Sequence, residues 1–237
     1  MREQADERIA SLDWPSIHRA LDEQGFASIP ELLTAEECRD VERLYGEEER
    51  FRATIDMARY RFGAGEYRYF QSPLPPLVQM LREAFYPELA TAANRWLERL
   101  GEEPAYPAEL GTFLEECRRS GQTRPTPLVL KYEAEGYNCL HQDVYGDVSF
   151  PFQVVVALNR KDEDYAGGEF VLVEQRPRAQ SRAHVVALAQ GEALVFPTRH
   201  RPVAGTRGYY RTTLRHGVAT VRAGTRYTLG VIFHDAT

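Results

Sequence analysis

Leu128-Val129-Leu130-Lys131-Tyr132, entered directly from Pro127, is the stretch at which this chain changes its period. Before it, apolar residues recur at helical spacing. After it they come in short runs of Val, Leu, Phe and Tyr cut by Gly, Pro and charged residues, the pattern of strands. Phe152-Gln153-Val154-Val155-Val156-Ala157-Leu158, Glu169-Phe170-Val171-Leu172-Val173, Ala193-Leu194-Val195-Phe196, Thr212-Thr213-Leu214-Arg215-His216 and Tyr227-Thr228-Leu229-Gly230-Val231-Ile232-Phe233 continue the series. Helices first and strands afterwards predict an α+β chain, a helical layer packed on a β-sandwich or jelly roll.

Working outward toward the N-terminus, the spacing from Trp14 to Leu21 predicts a short amphipathic helix, and Gly25 to Pro30 a turn into a short strand. Thr34 with Glu37 forms a capping box ahead of a helix that begins at Ala35. Leu77 to Leu100 has helical periodicity with an expected break near Pro87, Ala108 to Arg118 reads as another helix, and Gly121 to Pro127 as a polar linker. The expected organisation is one domain over 1–237, with 1–126 mainly helical support and 127–237 the jelly-roll core.

Composition bounds the function. The 237 residues are 43% hydrophobic and 27% charged, an ordinary globular balance with no run long enough to span a membrane. The N-terminus is charged and lacks an apolar core, and the three cysteines, Cys38, Cys117 and Cys139, are widely separated, which predicts a reduced, cytoplasmic protein. Residues 1–150 carry 17 Lys/Arg against 28 Asp/Glu, and 151–237 carry 12 against 7. The overall acidity argues against strong non-specific nucleic-acid binding. The basic C-terminal part is either decoration of exposed strands or a positive rim suited to an anionic substrate. The sequence leaves the oligomeric state open.

The chemistry concentrates on His141-Gln142-Asp143 and His216. Residues i and i+2 of a strand face the same side, so His141 and Asp143 can reach one ion. With His216 they make two histidines and one carboxylate, a set that occupies one face of Fe(II) and leaves three positions open. Alone, the His-x-Asp pair is also compatible with a strand-end histidine hydrogen-bonded to its neighbour. Arg226, ten residues after His216, suits a co-substrate carboxylate, because a guanidinium fork donates two parallel hydrogen bonds. His200, followed by Arg211, is the competing distal ligand; it lacks a Gly-x-Arg-Tyr strand after it, and Pro202 is expected to disrupt its strand. Cys139 reads as a buried small residue rather than a ligand. His18, His184 and His234 have no partner at ligand spacing.

This arrangement resembles the Fe(II)/2-oxoglutarate-dependent dioxygenases. The stretch His216-Gly217-Val218-Ala219-Thr220-Val221-Arg222-Ala223-Gly224-Thr225-Arg226-Tyr227 is similar to the distal part of prolyl-hydroxylase-type members. The resemblance implies a double-stranded β-helix, a cupin-like jelly roll. It implies His141, Asp143 and His216 as iron ligands and Arg226 as the partner of 2-oxoglutarate, with Thr228 adding a hydroxyl. The spacing from Tyr132 to His141 resembles that of AlkB-type demethylases, which implies contact of Tyr132 with 2-oxoglutarate; the other reading is a core tyrosine. The co-substrates implied are 2-oxoglutarate and O₂ on Fe(II), with release of succinate and CO₂ and hydroxylation or oxidative demethylation of the substrate.

Tyr137 to Asp143, Gly168 to Leu172 and Leu229 to Ala236 also resemble a bacterial oxygenase family described as acting on damaged, alkylated DNA. Alkylated nucleic acid is the substrate that resemblance implies. A protein side chain or a small metabolite stays open as the alternative, as does a non-enzymatic jelly-roll metal-binding module. The His216-to-Arg226 gap is of the prolyl-hydroxylase length, shorter than in AlkB, and no AlkB-like nucleotide lid is recognisable. Arg59 to Phe70 is dense in Arg and aromatic residues, and Arg61, Tyr67 and Tyr69 are its candidate substrate contacts. The cationic loop from Gln175 to Arg182 follows a strand expected beside the His-x-Asp strand, which makes Arg176 and Arg178 candidates for a substrate rim.

Overall fold

The computed structural model describes residues 2–144 and 146–237. Five helices are α1 (Arg2–Ala10), α2 (Trp14–Gln24), α3 (Ala35–Leu44), α4 (Pro76–Arg99) and α5 (Leu110–Arg119). The strands are β1 (Ala27–Ile29), β2 (Phe51–Asp56), β3 (Gly63–Ala64), β4 (Glu66–Phe70), β5 (Leu128–Tyr132), β6 (Tyr137–His141), β7 (Phe152–Ala157), β8 (Tyr165–Gly167), β9 (Phe170–Gln175), β10 (Arg182–Val186), β11 (Ala193–Pro197), β12 (His200–Gly205), β13 (Gly208–Val218), β14 (Val221–Gly224) and β15 (Arg226–Ile232). A seven-stranded sheet runs β1-β11-β7-β15-β5-β4-β2. A second runs β10-β9-β13-β6-β3 with β12 also on β13, and β14 pairs β8 alone.

Alternation along the strands builds two cores. Phe152, Val154 and Val156 of β7 join the core shared with the helices, whereas Val155 and Ala157 join a smaller one with Phe170, Leu172 and Phe196. The first core holds the helical layer on the outer face of the large sheet, and the second lies between the sheets.

Local chemistry sets the helix ends. Asp13 caps α2 by accepting from the Ser16 amide at 3.1 Å, and the reciprocal Thr34–Glu37 capping box opens α3. Gly25 ends α2 at φ +87, and its hydrogen lets Arg201 pass where a Cβ would sit 2.5 Å from Arg201 Cδ.

Three expectations change. First, α4 runs unbroken through Pro87. Proline removes one ladder hydrogen bond at a cost of about 3 kcal/mol, but Phe85, Tyr86, Leu89 and Ala90 on either side are buried, and their packing holds both halves on one axis. Secondly, the first 126 residues are more than helical support, because β1 extends the large sheet at one edge through β11, β4 and β2 extend it at the other through β5, and β3 pairs β6. Thirdly, the linker before β5 is anchored inside: Gln122 donates from Nε2 to Val148 O and Asp235 O and accepts from the Val148 amide.

Candidate active site

β6 and β13 pair antiparallel with His141 directly opposite His216, and Asp143 lies two residues beyond the end of β6. One ligand atom from each of the three lies within 4.8 Å of the others. Asp143 Oδ1 is 3.4 Å from His141 Nε2, and Oδ2 is 3.1 Å from His216 Nε2. His141 Nδ1 meets Cys139 O at 2.8 Å. A carbonyl only accepts, so Nδ1 carries the proton and the Nε2 lone pair is left for an ion. Phe170 stacks on the His216 ring and Phe196 meets it edge-on, fixing its plane. Gln142 turns the other way and donates to Leu214 O at 2.9 Å, tying the turn to β13.

Asp143 and His216 are buried at 7% and 6% exposure, so their charges are settled by each other. Burial works against the Asp143 carboxylate, yet the charge of His216 and hydrogen bonds from both histidines hold its pKa well below the ordinary value. Burial pushes His216 down, only partly offset by Asp143. Burial also opposes protonation of His141, but the hydrogen bond and charge of Asp143 outweigh it and raise that pKa. An ionised carboxylate between imidazoles is the donor set a borderline divalent ion takes.

The three residues line a cavity of about 320 Å³ whose wall also includes Arg226, Tyr132, Thr228 and Asn138. Arg226 opens β15 opposite Tyr132 of β5, with its guanidinium 5.6 Å from the Tyr132 ring centre and Nη1 3.5 Å from Thr228 Oγ1. The Tyr132 hydroxyl accepts from Asn138 Nδ2 at 3.3 Å, and burial pushes its pKa up to about 12, so it stays a neutral phenol. Arg226 is 2% exposed, its Nε has no hydrogen-bond partner, and no carboxylate pairs with it among the described residues. A buried cation without a counter-ion is costly, so the site fits an anionic ligand entering from the cavity. Gly168, at φ +64, makes room: a Cβ there would lie 2.8 Å from Arg226 Cδ.

Arg61, Tyr67 and Tyr69 also line this cavity. The two tyrosines project from β4 as an edge-on pair 5.4 Å apart, and the Arg52 guanidinium covers Tyr69. Arg176 and Arg178 do not line it. β13 stands between β9 and β6, so the loop after β9 is one strand further from Asp143 than the sequence suggested. Arg176 instead pairs with Glu174 and borders a separate groove with Arg19, Arg95, Arg99 and Arg201, and Arg178 sits in the turn before β10.

His200 lies on β12, donates from Nδ1 to Thr212 O at 3.2 Å, and stays outside the cavity. Pro202 does not disrupt that strand. β13 is the one strand that pairs β12 among the described residues, so the missing N–H is not required on the other side. Cys139 is exposed and lines the cavity, contrary to the expected buried position, while Cys38 and Cys117 are buried. His234 is fully buried, and its Nδ1 accepts from the Phe150 amide. Gln153, which no motif spacing singles out, touches both Asp143 and His216 through its amide. Its signal was a single polar residue inside the apolar run Phe152 to Leu158.

The two antiparallel sheets form a jelly roll with the His141–Asp143–His216 cluster on its cavity wall. In fold the chain is similar to a prolyl hydroxylase of Trichoplax adhaerens solved with a hypoxia-inducible-factor peptide, at TM-score 0.59, 16% identity and coverage of 98% of this chain and 92% of that one. It is likewise similar to a Pseudomonas putida prolyl-4-hydroxylase (0.56, 17%, 94% and 100%) and to a Burkholderia pseudomallei oxidoreductase of the 2OG-Fe(II) oxygenase family (0.55, 17%, 96% and 96%). Two uncharacterized Mycobacterium tuberculosis proteins, from different strains, are each 49% identical over 167 residues, 70% of this chain and 72% of theirs. Residues 65–236 match the model of the oxygenase family described as catalysing oxidative methylation of damaged DNA, and the chain belongs to that family. No helix among the described residues is long and apolar enough to cross a membrane.

Proposed function

We propose that this oxygenase depends on Fe(II) and 2-oxoglutarate and oxidises an alkyl group on damaged nucleic acid. The observation that carries the reading is one cavity with the His141–Asp143–His216 cluster on its wall and a buried Arg226 without a carboxylate partner beside it. His141, Asp143 and His216 would hold the ion, and Arg226, with Thr228 and Tyr132, would hold the far carboxylate of 2-oxoglutarate. When bound, iron supplies the oxygen chemistry that turns 2-oxoglutarate and O₂ into succinate and CO₂ and hydroxylates the substrate. The rest is positioning. Arg226 orients the co-substrate by a fork of hydrogen bonds, the neutral Tyr132 phenol adds no competing charge, and Phe170 and Phe196 keep His216 from turning.

The family description supports damaged DNA as substrate, and Tyr67, Tyr69 and Arg61 line the cavity with aromatic side chains and a cation suited to a base. Hydroxylation of an N-methyl group gives a carbinolamine that releases formaldehyde, so demethylation follows from the same step. The free cysteines fit a reducing, cytoplasmic setting.

The test is succinate and formaldehyde release by purified protein with Fe(II), 2-oxoglutarate and O₂, on methylated oligonucleotides and on peptide and metabolite panels in parallel. Succinate and formaldehyde from methylated oligonucleotides support the proposal. Succinate with peptides or metabolites alone moves the substrate to that class. A folded protein that binds no divalent ion and yields no succinate on any panel refutes the co-substrate assignment.

A further inference from the structure

Gln153 is the one polar residue in β7, a strand buried along its whole length. Alternation turns Phe152, Val154 and Val156 toward the helices and Gln153 toward the interior between the sheets, where it lines the cavity at 5% exposure. A primary amide in that position is costly unless it is hydrogen-bonded. The amide nitrogen is spent on the site: Nε2 donates to Asp143 Oδ2 at 2.8 Å and lies 3.4 Å from His216 Nε2.

We propose that Gln153 is a positioning residue for the metal centre, which holds Asp143 so that one carboxylate oxygen faces the ion. The inference rests on the metal-dependent reading above. A carboxylate binds an ion through one oxygen or two. With the Gln153 amide on Oδ2, which also lies 3.1 Å from His216 Nε2, Oδ1 would be the oxygen free to face an ion, on the side of His141 Nε2. A second carboxylate oxygen on the ion would take a position that the co-substrate needs. The backbone supports the arrangement from both sides, because β11 and β15 flank β7 and fix Gln153 opposite Phe196 and Ile232.

The test compares the whole protein with Gln153→Met, which keeps length and buried volume but cannot donate, and with Gln153→Glu. Mn(II) affinity is read from the free-ion magnetic-resonance signal. Coordination is read from the visible absorption of the Co(II)-loaded protein, and folding from circular dichroism. Outer partners of metal ligands typically contribute 10–100-fold to metal affinity, so Gln153→Met should fold normally, bind Mn(II) roughly 10–100-fold more weakly and shift the Co(II) bands. Gln153→Glu brings an extra anionic oxygen to the ion. It should bind Mn(II) at least as tightly as the wild type while losing affinity for added 2-oxoglutarate. A folded Gln153→Met protein with unchanged Mn(II) affinity and unchanged Co(II) bands overturns the proposal. Should Gln153→Met not fold, unchanged Co(II) bands in Gln153→Glu overturn it equally. A wild-type protein that binds neither ion removes the metal reading itself, and this inference with it.

Discussion

Arg226 and His234 are both buried side chains of the last strand and its end, and they carry different tests. Arg226 lies beside the cavity with no carboxylate partner among the described residues. Arg226→Ala should therefore act on 2-oxoglutarate more than on the metal. Losing a charged hydrogen-bonded pair of about 2 kcal/mol predicts a roughly 30-fold higher KM for 2-oxoglutarate, with Mn(II) affinity nearly unchanged; a large loss of Mn(II) binding would contradict that division of labour. His234 gives up its charge. Burial, and then the Arg82 charge, push its pKa down from 6.5 to about 4. A pKa depressed on folding means that the unfolded chain takes the proton first, so stability falls as pH drops from about 6.5 toward 4. Between pH 7 and pH 5 that loss is about 2 kcal/mol. Urea denaturation at the two pH values should show it, and His234→Gln, whose carbonyl can still accept from the Phe150 amide, should lose most of the dependence.

At the scale of elements, the turn from β8 into β9 and the β6–β13 ladder place the cavity's chemistry. The ladder sets His141 across from His216, and a slip of one residue would send one of them to the opposite face. The turn passes beneath Arg226 only because Gly168 has no side chain. Gly168→Ala adds a methyl that meets Arg226 Cδ and Val221, and it places alanine in the left-handed region at φ +64. We expect a loss of about 1 kcal/mol in co-substrate binding, a roughly 5-fold higher Kd for 2-oxoglutarate, with metal affinity retained. Isothermal titration of 2-oxoglutarate into the Mn(II) protein measures it, and wild-type affinity would show that Arg226 has room to move.

Across the whole molecule, the helical layer and the sheets form one structure. Arg82 of α4 is buried and donates to Ile232 O, Phe233 O and Asp235 Oδ1 at 2.7–2.9 Å, joining the long helix to the end of the chain. Arg82→Met leaves these acceptors buried without their donor and should cost about 3 kcal/mol or more. Because β1, β2 and β4 complete the large sheet, the loss should move a single unfolding transition. The two tryptophans, Trp14 and Trp96, both lie in helices, so their fluorescence follows the helical layer while far-UV circular dichroism also follows the sheets. Separate midpoints for the two probes would refute a single cooperative unit.

Sequence by itself determined that His141, Asp143 and His216 could share one site with Arg226 nearby, that the strands from Leu128 onward form the sheets, and the capping box of α3. Each of these follows from residue type at short spacing, or from a pattern that one strand or one helix turn enforces. It did not determine where Arg176 would lie, that Cys139 is exposed, that α4 continues through Pro87, or that the N-terminal part contributes strands to both sheets. Those depend on which strands become neighbours and on which buried contacts outweigh a local preference. Gln153 lies between the two cases: its polarity in an apolar strand was visible in the chain, but its partners, Asp143 ten residues before it and His216 on β13, met it only when the two sheets closed on each other.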